Sequence, residues 1–61
     1  MKLVDYLRKK RIKNIEFANL LNINKGHLSL IVNKKIIPRK PLIQKIMELT
    51  NNKVTLKDFY E

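Results

Sequence analysis

Along most of the chain, apolar residues return every three or four positions, and no stretch alternates apolar with polar residues in the manner of a strand. This pattern predicts five short helices. The first spans about residues 2–11. Leu3, Val4 and Leu7 share one stripe, and Arg8, Lys9, Lys10 and Arg11 crowd the last turn, where cations suit the negative end of the helix dipole. Ile12 turns inward from the connection. The second helix spans about residues 14–21, with Phe17, Ala18 and Leu21 as its core stripe, Glu16 and Asn19 outside it, and Ile15 and Leu20 half covered on its shoulders. Ile23 then plugs the gap between two helices, and Asn24 is a good N-cap for the third, about residues 25–33, whose seam is Leu28, Ile31 and Val32. A basic link, Lys34-Lys35-Ile36-Ile37-Pro38, follows. Pro41 suits the first turn of a fourth helix that carries Leu42, Ile43, Ile46, Met47 and Leu49 up to about Thr50, with Asn51-Asn52 as its stop. Thr55-Leu-Lys-Asp58 resembles a capping box, with Asp in place of Glu or Gln, and starts a short fifth helix with Leu56 and Phe59 facing in.

Helices 2 and 3, joined by so short a turn, have helix-turn-helix spacing. The outer side of helix 3 then raises a question. It carries Lys25, Gly26, Ser29, Leu30 and Asn33: a charge, a bare backbone, small polar groups and a leucine. A merely solvated face would favour Glu and Lys. This one is suited to contact.

Composition narrows what it contacts. Fourteen Lys and Arg stand against five Asp and Glu, a formal net charge of +9 on 61 residues. So basic a small chain points to a polyanion, nucleic acid first, with a basic protein lacking any polyanionic partner as the plainer reading. The length allows one domain, residues 1–61, and the opening Met1 gives the expectation of a complete small gene product. A chain this short buries only about 60% of its unfolded surface, so its stability is modest. With no Cys and a single His, neither a disulfide framework nor a structural zinc site is available. No apolar run approaches the ~18 residues of a membrane span, and no signal-peptide core follows the N-terminus. The expectation is an internal, soluble, cytoplasmic protein. The five acids are scattered, and no nucleophile–base pair, metal cluster or Gly-rich phosphate loop is present, so the sequence predicts no enzyme and no cofactor.

The residues from Ile12 to Asn24, I-K-N-I-E-F-A-N-L-L-N-I-N, resemble the second helix and turn of Cro/CI-type (XRE-like) helix-turn-helix repressors, with their E-[LF]-A core, Leu-Gly, aliphatic residue and Ser. K-G-H-L-S-L-I-V-N-K-K resembles the recognition helix, and residues 49–59, closing on Val-Thr and Asp-Phe, resemble the end of that family's domain. The likeness covers roughly residues 3–60. Several positions depart from it. Lys13 stands where a Thr or Ser cap is usual, Asn14 where Gln is usual, Asn22 in place of the turn Gly, and Lys34 in place of the Gly after Asn33. Asn tolerates the left-handed conformation better than other non-Gly residues, so Asn22 costs little.

The resemblance implies an all-α, five-helix lambda-repressor-like domain with helix 3 in the major groove of duplex DNA, which is about 12 Å wide and admits one helix. Base contacts then fall to Lys25, Gly26, His27, Ser29 and Leu30. Lys25 reaches guanine or phosphate, Gly26 lets the backbone come close, Ser29 donates or accepts, and Leu30 presses on a thymine methyl. Each has a plainer reading: Lys25 as a solvated lysine, Leu30 packed on helix 4 or on a second copy, His27 as a structural residue at the edge of the seam. Phosphate contacts fall to Asn14, Asn24, Asn33, Lys34, Lys35, Arg39 and Lys40, with the Arg8–Lys13 cluster either beside them or simply solvated. The family usually binds inverted repeats as dimers, which implies a homodimer through Val54, Leu56, Phe59 and Tyr60. The leading expectation is a transcriptional repressor of phage, prophage or mobile-element type in a bacterial cell, acting by occluding a promoter. An antitoxin that binds a protein partner and autoregulates through its helix-turn-helix is the second, and a small RNA-binding protein the third. The lack of an aromatic stacking platform speaks against RNA.

Overall fold

Phe17, Leu28, Ile43, Ile46 and Val54 are withdrawn almost completely from solvent, and around them close Leu3, Tyr6, Leu7, Ala18, Leu21 and Ile31. The computed structural model that shows this core describes residues 1–60. Its elements are α1 (Leu3–Lys10), α2 (Asn14–Leu21), α3 (Lys25–Val32), α4 (Lys40–Leu49) and α5 (Leu56–Tyr60), with no strand among the described residues. The Cα radius of gyration is 10.1 Å, against about 10.5 Å expected for a compact chain of this length. The α2 and α3 helices pack on each other across the turn at Asn22–Asn24, and α4 packs on both α2 and α5. Among the described residues no helix is long and apolar enough to cross a membrane.

The helix ends explain how so short a chain turns so often. After each of α1 to α4 the chain passes through a left-handed residue: Arg11 (φ 57°), Asn22 (φ 61°), Lys34 (φ 60°) and Asn51 (φ 52°). At each, the next N–H reaches back to the carbonyl five residues earlier: Ile12 to Leu7 at 2.9 Å, Ile23 to Ala18 at 3.0 Å, Lys35 to Leu30 at 2.8 Å and Asn52 to Met47 at 2.8 Å. This is the Schellman arrangement, which satisfies the orphan carbonyls of a helix end. At the first two ends it also drives an isoleucine, Ile12 or Ile23, back against the core. Glycine is the residue such positions favour, and none of the four holds one. Two are asparagines, which bear the conformation comparatively well; Arg11 and Lys34 bear it worse. Arg11→Gly is therefore expected to stabilise the protein by about 1 kcal/mol, a relief of strain partly offset by added unfolded-chain freedom. A thermal melt checks it: a lowered Tm would mean that Arg11 makes a contact worth more than its strain.

Several expectations shift. Tyr6 joins the core, Ile15 and Leu20 are more exposed than half covered, and Leu49 and Leu56 face solvent in part. Val54, expected on a dimer surface, is fully buried in the protomer's own core (0% exposed). The reason lies in the left-handed pair Asn51–Asn52, which folds the chain back over the end of α4. The buried Thr50 hydroxyl then accepts the Val54 N–H at 3.3 Å and holds that residue beneath the helix. Val54 has no surface to offer a second copy.

The α5 helix has no buried residue of its own and is secured at its start. Asp58 Oδ2 accepts the Thr55 N–H at 2.9 Å and the Thr55 hydroxyl at 3.3 Å, the reverse half of a capping box, and also the Met1 amino group at 3.1 Å. Burial alone would push the Asp58 carboxyl up; the Thr55 N–H and the Met1 ammonium outweigh it and hold the carboxyl below its ordinary value. A depressed folded-state pKa stabilises above the unfolded pKa, and that contribution is lost as pH falls through the folded value. Asp58→Ala is thus expected to cost about 1 kcal/mol at neutral pH, the size of a helix cap. The gap between wild type and variant should close as pH falls below about 4. A gap independent of pH in acid melts would remove the carboxylate from the account.

Candidate nucleic-acid interface

The α3 helix sits with Leu28 and Ile31 buried in the core and Val32 half-buried beside them. Its opposite face is set by helical spacing: Gly26, Ser29, Leu30 and Asn33 follow one another at i, i+3, i+4 and i+7 and form a single stripe. Gly26, Leu30 and Asn33 are exposed and Ser29 is half-buried. Asn33 Nδ2 donates to Ser29 Oγ at 3.3 Å, which leaves the Ser29 O–H and the Asn33 carbonyl oxygen to meet a partner. Leu30 is 45% exposed.

Asn24 fulfils its predicted role. Its Oδ1 accepts the His27 N–H at 2.7 Å, the only side-chain cap at the start of α1 to α4. Its carbonyl oxygen is therefore engaged in the fold, and the amide N–H groups are what Asn24, expected at a phosphate, can offer outward. His27 is half-buried and lines a groove with Ile23, Pro38, Arg39, Leu42 and Lys45. It flanks the α3 stripe rather than standing on it, and Arg39 lies on the same groove wall. Lys25 flanks the other side of the N-terminal turn.

The cations frame this stripe along the chain. Lys34 and Lys35 leave the C-terminal end of α3, and both are exposed, as are Arg39 and Lys40 at the start of α4. Asn14 begins α2 and is half-buried. The N-caps of α2 and α4, Lys13 and Arg39, make no side-chain cap, so the first-turn N–H groups of both helices keep their capacity for an anion, with cations beside them. Helix α2 nonetheless begins at Asn14 despite Lys13. The residues expected at a dimer surface divide: Leu56 and Tyr60 (58% exposed) form an i, i+4 pair on the outside of α5, Phe59 is half-buried against the core, and Val54 is inside it.

Gly26 is the only glycine of the chain, and its φ is not positive. A Cβ built there meets nothing closer than Asn24 Oδ1 at 3.4 Å, an ordinary van der Waals contact. The fold has room for alanine. Among the described residues, five that are not glycine occupy left-handed backbone where glycine would relieve strain, while the one glycine stands on the exposed face of α3 where nothing internal requires it.

Among the described residues, no group of three or more His, Cys, Asp or Glu is placed to hold a metal ion. No family model matches this chain, and no curated protein or solved structure is significantly similar to it.

Proposed function

We propose that this protein is a sequence-specific double-stranded DNA-binding transcriptional regulator, a Cro-like repressor with a lambda-repressor-like fold in which α2, the Asn22–Asn24 turn and α3 form the helix-turn-helix. The α3 stripe enters the major groove and reads base edges. Lys34, Lys35, Arg39, Lys40 and the N-terminal turn of α2 hold the flanking phosphates. One observation carries the reading: the glycine at position 26 answers no need of the fold, and a bare backbone on an exposed helix face is what close approach to a duplex requires. The stripe beside it is polar and uncharged at Ser29 and Asn33, apolar at Leu30, and framed by cations, which matches a surface that reads bases between two phosphate strands.

The active form is a homodimer on an inverted repeat. Two copies at +9 each repel, so pairing through the Leu56–Tyr60 edge of α5 is favoured on DNA, where phosphates neutralise the charge. Repression follows from occlusion of a promoter.

Selection from a random duplex pool at about 150 mM salt tests this, a concentration at which non-specific phosphate binding is already weakened. The expected product is an inverted repeat with half-site centres about 34 Å apart. Binding that yields no motif and disappears with salt would refute sequence-specific reading.

A further inference from the structure

The groove that His27 lines is more than a flank of the α3 stripe. It encloses about 660 Å³ between the first turn of α3, the link to α4 and the first two turns of α4, within the roughly 300–1,000 Å³ of small-molecule sites. Its floor is apolar: Ile23 and Leu42 are half-buried against the core, and Pro38 is buried. Ile36 (37% exposed) and Ile37 (55% exposed) continue the apolar wall towards solvent. Neighbouring isoleucines on a common hollow make a contiguous apolar patch, which a solvated link does not need.

The same walls carry three basic side chains, His27, Arg39 and Lys45. Pro41 and Lys45 stand at i and i+4 on α4, so the ammonium lies one turn along the rim from the proline. The Arg39 guanidinium is a planar fork that fits a carboxylate through two parallel hydrogen bonds, and the half-buried His27 ring has an N–H donor in either tautomer. Exposed cations add little affinity alone. A ligand that answers the whole groove therefore has an apolar body for the floor and a carboxylate for the rim. The body supplies the affinity and the head group the selection. We propose that this groove binds a small amphipathic carboxylate. The ligand is a free molecule, because a concave site encloses one chain and not a bilayer surface. The inference does not depend on DNA binding.

Decanoate, kept below micelle formation, is the probe. It is titrated into the full isotope-labelled chain without DNA at about 150 mM salt, where exposed charge alone is strongly screened, and amide chemical shifts are followed. Saturable shifts are expected at Ile23, His27, Leu42 and Lys45, and not at Lys2, Val4 and Tyr60, which line a separate hollow beside α1 and α5. Hexanoate has four fewer methylene groups and should bind at least about tenfold more weakly, since each buried methylene is worth a factor of about four. Decyltrimethylammonium, with a comparable tail and the opposite charge, should also bind at least about tenfold more weakly. Arg39→Gln and Lys45→Glu should each weaken decanoate binding by about threefold or more. Lys53→Glu makes the same charge change as Lys45→Glu at an exposed position off the groove and should have little effect. The proposal is overturned if no shift saturates, or if the shifts centre on the hollow beside α1 and α5. It is equally overturned if hexanoate or decyltrimethylammonium binds as tightly as decanoate, or if Lys45→Glu and Lys53→Glu act alike.

Discussion

Gly26→Glu is expected to leave the protein at least as thermostable as the wild type while weakening DNA binding on the order of 100-fold. The two halves have separate causes. Position 26 is in the first turn of α3, where an acidic side chain suits the positive end of the helix dipole, and glutamate is a better helix former than glycine. The added Cβ meets only Asn24 Oδ1 at 3.4 Å, so the N-cap survives. On DNA, the same side chain occupies the space that the duplex needs and brings a carboxylate towards phosphates. At ~5 Å and an effective dielectric near 20 that repulsion is about 3 kcal/mol, close to two decades of affinity. Gly26→Ala separates the two contributions, since it adds bulk without charge and should fall between. Gln44→Glu changes net charge equally on α4 and should cost far less. Melting curves and titrations with the selected operator read both halves. A Gly26→Glu protein that melts normally and binds normally would remove α3 from the groove and the proposed function with it.

The same position shows where sequence reading succeeds and where it stops. Helical periodicity places the five elements, and α2 begins and ends at the predicted residues 14 and 21, because Phe17, Ala18 and Leu21 can share a core only on a helix. Asn24 as a cap follows from its chemistry. The stripe of Gly26, Ser29, Leu30 and Asn33 is legible for the same reason, since spacing alone puts these residues opposite Leu28 and Ile31. What periodicity does not carry is the path of the chain between helices. Arg11 and Lys34 in left-handed backbone have no signal in their residue types, and Asn51–Asn52 reads as a stop without telling which way the chain leaves. That turn decides whether Val54 faces outward or inward, and it sends Val54 into the core. Tyr6 escapes notice because its hydroxyl and its place beside Asp5 read as polar surface, although its ring is what fills the space. Gly26 could be read from sequence as a close approach or as chance. The absence of any internal need for it emerges only from the space around it.

Thr50→Val is the substitution expected to do the most damage for the least change in shape. Thr50 is fully buried at the end of α4. Its hydroxyl donates to the Ile46 carbonyl at 2.8 Å and accepts the N–H of the equally buried Val54 at 3.3 Å. Valine fills nearly the same volume but leaves the Val54 N–H with no acceptor in a place that water does not reach, at a cost of about 1–3 kcal/mol. A chain of this length has about 3–9 kcal/mol in total, so Tm should fall by about 4–8 °C for each kcal/mol lost. Thr50→Ser keeps the hydroxyl and loses a methyl group, worth about 1 kcal/mol. Amide exchange distinguishes the two: at Val54 it should accelerate beyond the global effect in Thr50→Val and follow the global effect in Thr50→Ser. The consequence reaches function through α5, which has no fully buried residue and is held by the Val54 anchor, the Asp58 cap and the half-buried Phe59. Releasing the anchor lowers the free energy of opening α5 locally, and Leu56 and Tyr60, the exposed pair proposed to join two copies on DNA, lose their fixed geometry. At temperatures where Thr50→Val is still folded, it should therefore bind a single half-site normally and the full inverted repeat less tightly than wild type. Equal affinity of wild type and variant for the full repeat would place the dimer contact elsewhere than α5.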